Sequence, residues 1–234
     1  MSVAVAASVG VFLAAQQLHV IPKAWSEEAT PGYATYTSSR DVGSYSAAIA
    51  ARPDDYMGYY RRGLHYQTRG AFDLALADLD RAIALSPTPM TRAMLSDEGR
   101  DTLSLETRTL NRVVFVRLVR ATVLTQLDRT SEALAELNKV IALDDRKTSA
   151  IFARAALLST MERFDEAIAD YDSLLSHYPN VDWIFGRGVA KFHKGDLDGA
   201  AVDLREAARL NPRDDAFQDW VSKVSLRETV AIAQ

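Results

Sequence analysis

Cysteine is absent from all 234 residues, which excludes thiol catalysis, thiolate-held metals and disulfide staples, and is compatible with either redox compartment. An excess of basic charge is missing too. The 27 Lys and Arg against 31 Asp and Glu leave a net charge of −4. A general nucleic-acid binder needs a concentrated cationic surface to displace counterions from phosphate, so nucleic acid is not an expected partner. Glycine (11) and proline (7) are too few for a low-complexity or collagenous chain. Catalytic constellations are lacking as well. His19, His65, His177 and His193 stand apart from one another and from carboxylates at metal-ligand spacing. There is no phosphate-cradling glycine loop and no Gly-x-Ser-x-Gly elbow. The expectation is therefore no catalysis, no metal and no cofactor, in a chain long enough to bury a core by hydrophobic packing alone.

What is present begins with an apolar run. Val3 to Ala15 reads VAVAASVGVFLAA, the length of a signal-peptide core, with Ala24-Trp25-Ser26 as a small-residue cleavage site. Extended from Ser2 to Ile21, it approaches the length a bilayer requires, and would act as an uncleaved anchor making membrane contact through residues 2–21. The alternative is an apolar helix packed on the rest of the protein. A targeting or anchoring role places the protein in the cell envelope, periplasmic or membrane-anchored; the packed helix leaves a cytoplasmic setting.

The remainder is repetitive. Ala71–Pro87, Asp128–Asp145, Arg163–Pro179 and Asp196–Pro212 align, with Ala75, Ala133, Ala167 and Ala200 at one position and Leu79, Leu137, Tyr171 and Leu204 at another. The last three copies are spaced by 34 and 33 residues; the first lies 58 ahead of the second, one period plus an insertion of 24. Each copy holds two amphipathic helical patterns, joined by a short turn such as Arg69-Gly70 or Lys194-Gly195. Proline closes three of the four copies, where it stops the second helix.

A bulky residue, a small one, an aromatic, then Ala, a large apolar residue, Ala and Pro recur in fixed order. They are Tyr59, Gly63, Tyr66, Ala75, Leu79, Ala82 and Pro87 in the first copy, and Ile184, Gly188, Phe192, Ala200, Leu204, Ala207 and Pro212 in the last. This pattern resembles the tetratricopeptide repeat over residues 56 to 214. The second copy departs from it, with Arg117 in the bulky place and Asp145 for the proline. The resemblance implies an all-α, right-handed superhelical solenoid of helix-turn-helix repeats with a C-terminal capping helix, since the exposed last face of a stack needs cover.

The expected organisation is a signal or anchor helix over 1–24, a linker over 25–37, and a solenoid over 38–226. The solenoid divides into a half-repeat at 38–55, repeats at 56–89, 114–147, 148–181 and 181–214, an insertion at 90–113 and a cap at 215–226. Residues 227–234 are a tail. Phe217, Trp220, Val221 and Val224 form the apolar stripe of the cap, while Leu103, Leu105, Leu110 and Val113 extend the pattern of the helix after the insertion. The insertion itself is either a specificity-carrying loop or a passive extended turn.

Two sets of residues stand out. An arginine precedes the small residue in every copy (Arg62, Arg120, Arg154, Arg187), and an acid recurs in every second helix (Asp78, Glu136, Asp170, Asp203). An arginine in a packed place requires a carboxylate, so these are read as structural ion pairs fixing how the helices stack; the rival reading is an acidic ligand. The second set is implied by the resemblance, which places partner contacts on the concave face of the first helices: Tyr60, Leu64, Leu118, Thr122, Phe152, Ala156, Phe185 and Val189. The set is largely aromatic and aliphatic, without the Lys, Arg and Asn by which family members grip an acidic tail. It implies another protein as partner, a peptide or subunit with apolar anchors. The alternatives are that the protein's own linker or amino-terminal helix fills the groove, or that these side chains are inter-repeat packing. An adaptor of this kind and a permanent structural subunit of a membrane complex are both compatible with the sequence, and the oligomeric state is left open.

Overall fold

The computed structural model describes residues 41–91, 94–95 and 105–232. The apolar run, the linker and the centre of the insertion fall outside the described residues. Among the described residues the regular elements are all helical: α1 (Val42–Ala51), α2 (Tyr56–Thr68), α3 (Phe72–Leu85), α4 (Leu105–Gln126), α5 (Thr130–Leu143), α6 (Thr148–Thr160), α7 (Phe164–Leu175), α8 (Val181–Lys194), α9 (Leu197–Leu210) and α10 (Asp215–Ile232). They fall into two compact units, divided after Ala150.

The helix boundaries follow from local chemistry. The Asp41, Asp55, Asn180 and Asp196 side chains accept hydrogen bonds from the backbone N–H of Ser44, Met57, Asp182 and Gly199 at 2.9, 3.0, 2.8 and 3.0 Å, satisfying donors that a helix start leaves orphaned. The turn between paired helices uses one left-handed residue in each copy: Gly70, Asp128, Glu162 and Gly195, with φ of 73°, 58°, 59° and 96°. Glycine adopts that conformation without a Cβ penalty, whereas Asp and Glu pay it.

In the first unit, α1 packs on α2, α2 on α3, α3 on α4, and α4 on α5. Tyr45 and Ile49 are the buried face of α1, and Ile49 approaches α2 where it has no side chain: a Cβ on Gly58 would lie 3.0 Å from Ile49 Cγ1. Ala75, Leu79 and Ala82 on α3 have no exposed surface. In the second unit, α7 packs on α8, α8 on α9, and α9 on α10. Its core joins Phe185, Val189 and Phe192 to Leu204, Ala207 and Ala208, and then to Phe217 and Val224 of α10. Burying the valine, leucine and phenylalanine side chains among these stabilises by roughly 1.5–3 kcal/mol each.

One boundary and one side chain differ from the sequence reading. The capping helix continues to Ile232 rather than ending at 226, so most of the expected tail is helix; Arg205 on α9 bridges Glu228 at 2.7 Å, beyond the expected end, and helps hold that turn. The helix after the insertion begins at Leu105, and Leu110 and Val113 are buried as its apolar pattern implies. Leu105 is 72% exposed and does not belong to that stripe.

Candidate functional site

Helix pairs approach closely only where the facing residue is small. Gly63 and Gly188 lie against the second helix of their own repeats: a Cβ on Gly63 would stand 3.1 Å from Leu79 Cγ, and one on Gly188 3.0 Å from both Asp203 Cβ and Leu204 Cγ. Ala121 and Ala155 occupy the equivalent places and are buried. This approach puts the preceding arginine within reach of the acid on the partner helix.

The Arg62 guanidinium donates to Asp78 through Nε at 2.7 Å and Nη2 at 2.8 Å. Arg154 does the same to Asp170 at 2.8 and 2.7 Å, and Arg187 to Asp203 at 2.8 and 2.7 Å. These are two-pronged guanidinium–carboxylate pairs, the geometry that suits arginine and not lysine. The second copy is arranged differently. Arg120 Nη1 stands 3.4 Å from Glu136, while Arg120 Nε donates to Asp80 at 2.6 Å. Glu136 is instead held by Arg117 at 2.9 Å and Lys139 at 2.7 Å. The residue that breaks the repeat pattern, Arg117 in the bulky place, is thus one of the cations that meet the buried acid. Its Nε finds no partner among the described residues.

Sequence reasoning named the own-repeat acids and missed a second set of partners. Arg62 Nη1 donates to Ser46 Oγ on α1 at 3.0 Å, and Arg187 Nη1 to Asp172 on α7 at 2.7 Å. With the Arg120–Asp80 bond, three arginines each join their own repeat to the preceding helix. Lys191 adds a further donor to Asp203 at 2.8 Å. The available signal was a polar residue in the preceding helix, 16 and 15 positions before Arg62 and Arg187 and, across the insertion, 40 before Arg120. The hydrogen bonds they donate to Asp78, Asp170 and Asp203, each first among the causes, raise the pKa of Arg62, Arg154 and Arg187 respectively. Burial pushes the Glu136 carboxyl up, but donation from Lys139 and Arg117 outweighs it and holds the group below its ordinary value.

The expected partner-contact residues divide. Tyr60, Leu64, Phe185 and Val189 are 3, 7, 7 and 1% exposed, so this half of the proposed groove is packed inside rather than presented. Tyr60 meets the Phe115 ring edge-on at 5.8 Å, and Phe185 stacks on Phe217 of the cap at 4.5 Å. Their reading as inter-helix packing is the one the geometry supports. Leu118 and Thr122, one turn apart on α4, and Phe152 and Ala156, one turn apart on α6, are only half-buried. The Phe152 ring leans edge-on against Tyr171 at 6.2 Å.

Among the described residues no group of three or more His, Asp or Glu is placed to hold a metal ion, and no helix is long and apolar enough to cross a membrane. The His65 ring lies among Tyr45 and Tyr66, and His177 Nδ1 bonds the Ser173 carbonyl at 2.9 Å; each is occupied locally.

A family model described as tetratricopeptide repeat matches residues 42–88 and 152–215. Among solved structures, a tetratricopeptide repeat protein from Parabacteroides merdae aligns with a TM-score of 0.62 at 18% identity, over 79% of this chain and 64% of that one. This chain therefore spans less than two thirds of that relative. YrrB, described as a protein of the same repeat type with an unusual peptide-binding site, aligns with a TM-score of 0.62 at 17% identity, over 86% of this chain and 96% of that one. MamA from Desulfovibrio magneticus, from its residue 41 onward, aligns with a TM-score of 0.60 at 15% identity, over 75% and 86%. At such identities the likeness is one of fold. No curated protein matches the chain.

Proposed function

We propose, from the match of residues 42–88 and 152–215 to the tetratricopeptide repeat family, that the protein is a non-catalytic scaffold that binds another protein through the first helices of its repeats. The carrying observation is the division within the expected contact set. Leu118 and Thr122 on α4, and Phe152 and Ala156 on α6, keep part of their surface open, whereas their counterparts on α2 and α8 are consumed by packing. A pair of apolar or small side chains one helical turn apart is the footprint an anchoring side chain of a peptide or helix requires. The ion pairs are read as structural, because each of the four arginines has a carboxylate partner. Peptide binding, which the description of YrrB ascribes to that protein, is the mode we extend to this one.

The setting we propose is the cell envelope, with residues 1–24 as signal or anchor. A permanent subunit of a membrane complex is the second reading. It is favoured by large apolar side chains exposed away from the first helices of the repeats: Leu74 on α3, Val202 on α9 and Leu226 on α10.

Affinity capture from the native host in mild detergent, with intact-mass measurement of the captured chain, tests both. Wild type is compared with Leu118→Asp and Phe152→Asp. A partner captured by wild type and lost from both folded variants supports the first-helix surface. A partner retained by both refutes it, and its loss from Leu74→Asp or Val202→Asp instead supports the subunit reading. A captured mass that lacks the first residues identifies a cleaved signal.

A further inference from the structure

We propose that His193 is a pH-sensitive latch for the capping helix: protonation of its imidazole, which sits where α7, α8 and α10 meet, loosens α10 from the last repeat. The imidazole stacks on Phe164 of α7 with centroids 5.8 Å apart and planes 14° from parallel. It meets Phe192 of its own helix edge-on at 5.6 Å and Trp220 of α10 at 5.7 Å. Trp220 in turn meets Phe192 at 5.4 Å and Phe185 at 6.4 Å, so the ring set around His193 is continuous with the core that holds the cap.

The charges around this junction are uneven. Two cations of α10 face it: Lys223 lies 4.5 Å over the Trp220 ring and Arg227 4.8 Å over the Phe192 ring. From the turn before α7 a single acid, Glu162, opposes them. The other basic groups of the last turn of α8 are already paired, Lys191 with Asp203 and Lys194 with Asp165, the latter at 2.5 Å. His193 itself has no hydrogen-bond or ion-pair partner among the described residues, unlike His177. A proton on its ring would therefore add a third positive charge beside Lys223 and Arg227, with no acceptor to take its N–H.

Three effects favour the charged ring: the Glu162 carboxylate, the face of Phe164 and the carbonyl end of α8. They are outweighed: burial first, and Arg227 next, hold the His193 pKa below its ordinary value. A histidine held low in the closed state binds fewer protons there than when the cap is open. The closed state is thus fully favoured above the ordinary histidine pKa of about 6.5, and loses ground as pH falls below it. Opening would uncover Phe185, Phe192 and Phe217, an apolar face that the repeat array otherwise hides.

Hydrogen exchange of backbone amides in residues 215–229, corrected for intrinsic rate, tests this on the full chain at about pH 7.5 and pH 5.5. In wild type the open fraction rises about twofold or more on acidification. The rise is lost in His193→Gln and steepens in Glu162→Gln, which removes the opposing acid. It shrinks in Arg227→Gln, whatever that change does to exchange at neutral pH. The inference is overturned if wild-type exchange in this segment does not change with pH, or if His193→Gln keeps the full dependence. Should His193→Gln not fold, an unchanged slope in both Glu162→Gln and Arg227→Gln overturns it equally.

Discussion

Adding one methyl group at Gly186 should destabilise the second unit. Gly186 lies on α8, and a Cβ built on it would stand 2.5 Å from both Cζ and Oη of Tyr171 and 2.8 Å from its Cε1, well inside van der Waals contact. Tyr171 cannot move aside cheaply: it is 1% exposed, among the largest fully buried side chains, and it carries Phe152 against its ring. Overpacking of this kind costs roughly 1–3 kcal/mol. Replacing a mid-helix glycine by alanine returns about 0.5–1 kcal/mol of backbone entropy. The net expectation for Gly186→Ala is a loss of about 0–2.5 kcal/mol.

Gly188 supplies the internal comparison. Its added Cβ would meet Asp203 Cβ and Leu204 Cγ at 3.0 Å, a tight fit rather than an overlap, and two other repeats hold alanine at that place. Gly188→Ala should therefore be milder than Gly186→Ala, and Gly63→Ala, with its nearest contact at 3.1 Å, no worse than Gly188→Ala. Urea denaturation of the three variants measures the order, and Tyr171→Leu combined with Gly186→Ala should recover part of the loss beyond additivity. If Gly186→Ala proves more stable than wild type by the full helix-propensity gain, the ring has room to shift and the packing argument fails.

Arg154→Met and Arg187→Met should differ. The first leaves Asp170, buried, with no other side-chain partner among the described residues, and should cost about 1–3 kcal/mol in urea denaturation; the second leaves Asp203 with Lys191 and should cost less, so an equal or reversed order refutes the pairing argument. Glu136 should contribute a pH-dependent part of the stability. Its folded pKa is lowered, so its contribution is present above the unfolded value of about 4.3 and is lost as pH falls through the folded one. Glu136→Gln should therefore be weaker than wild type at neutral pH and flatten the stability profile below about pH 5, and a variant profile parallel to wild type removes Glu136 from the acid response.

The period of about 34 residues, the small residues at one position and the terminating prolines were legible as a helical repeat, because a two-helix unit buries its apolar stripe only by repeating the same close approach. The recurrence of Arg and acid was equally legible, since one side chain at a fixed register implies the other. The second copy marks the limit: Arg117 looked like a lapse in the pattern, and only the fold shows it reaching Glu136 while Arg120 turns to Asp80.

The sequence by itself determined the helices, their pairing and the pattern of small and charged positions, because periodicity, caps and terminators act over a few residues. Tertiary structure alone decided which first-helix side chains stay open. Phe152 and Phe185 occupy equivalent places in two repeats, yet Phe152 remains half-exposed while Phe185 is sealed by Phe217. Whether a side chain meets solvent depends on what the next helix lays over it, and the cap that covers Phe185 lies thirty residues further along the chain, beyond the reach of any local pattern.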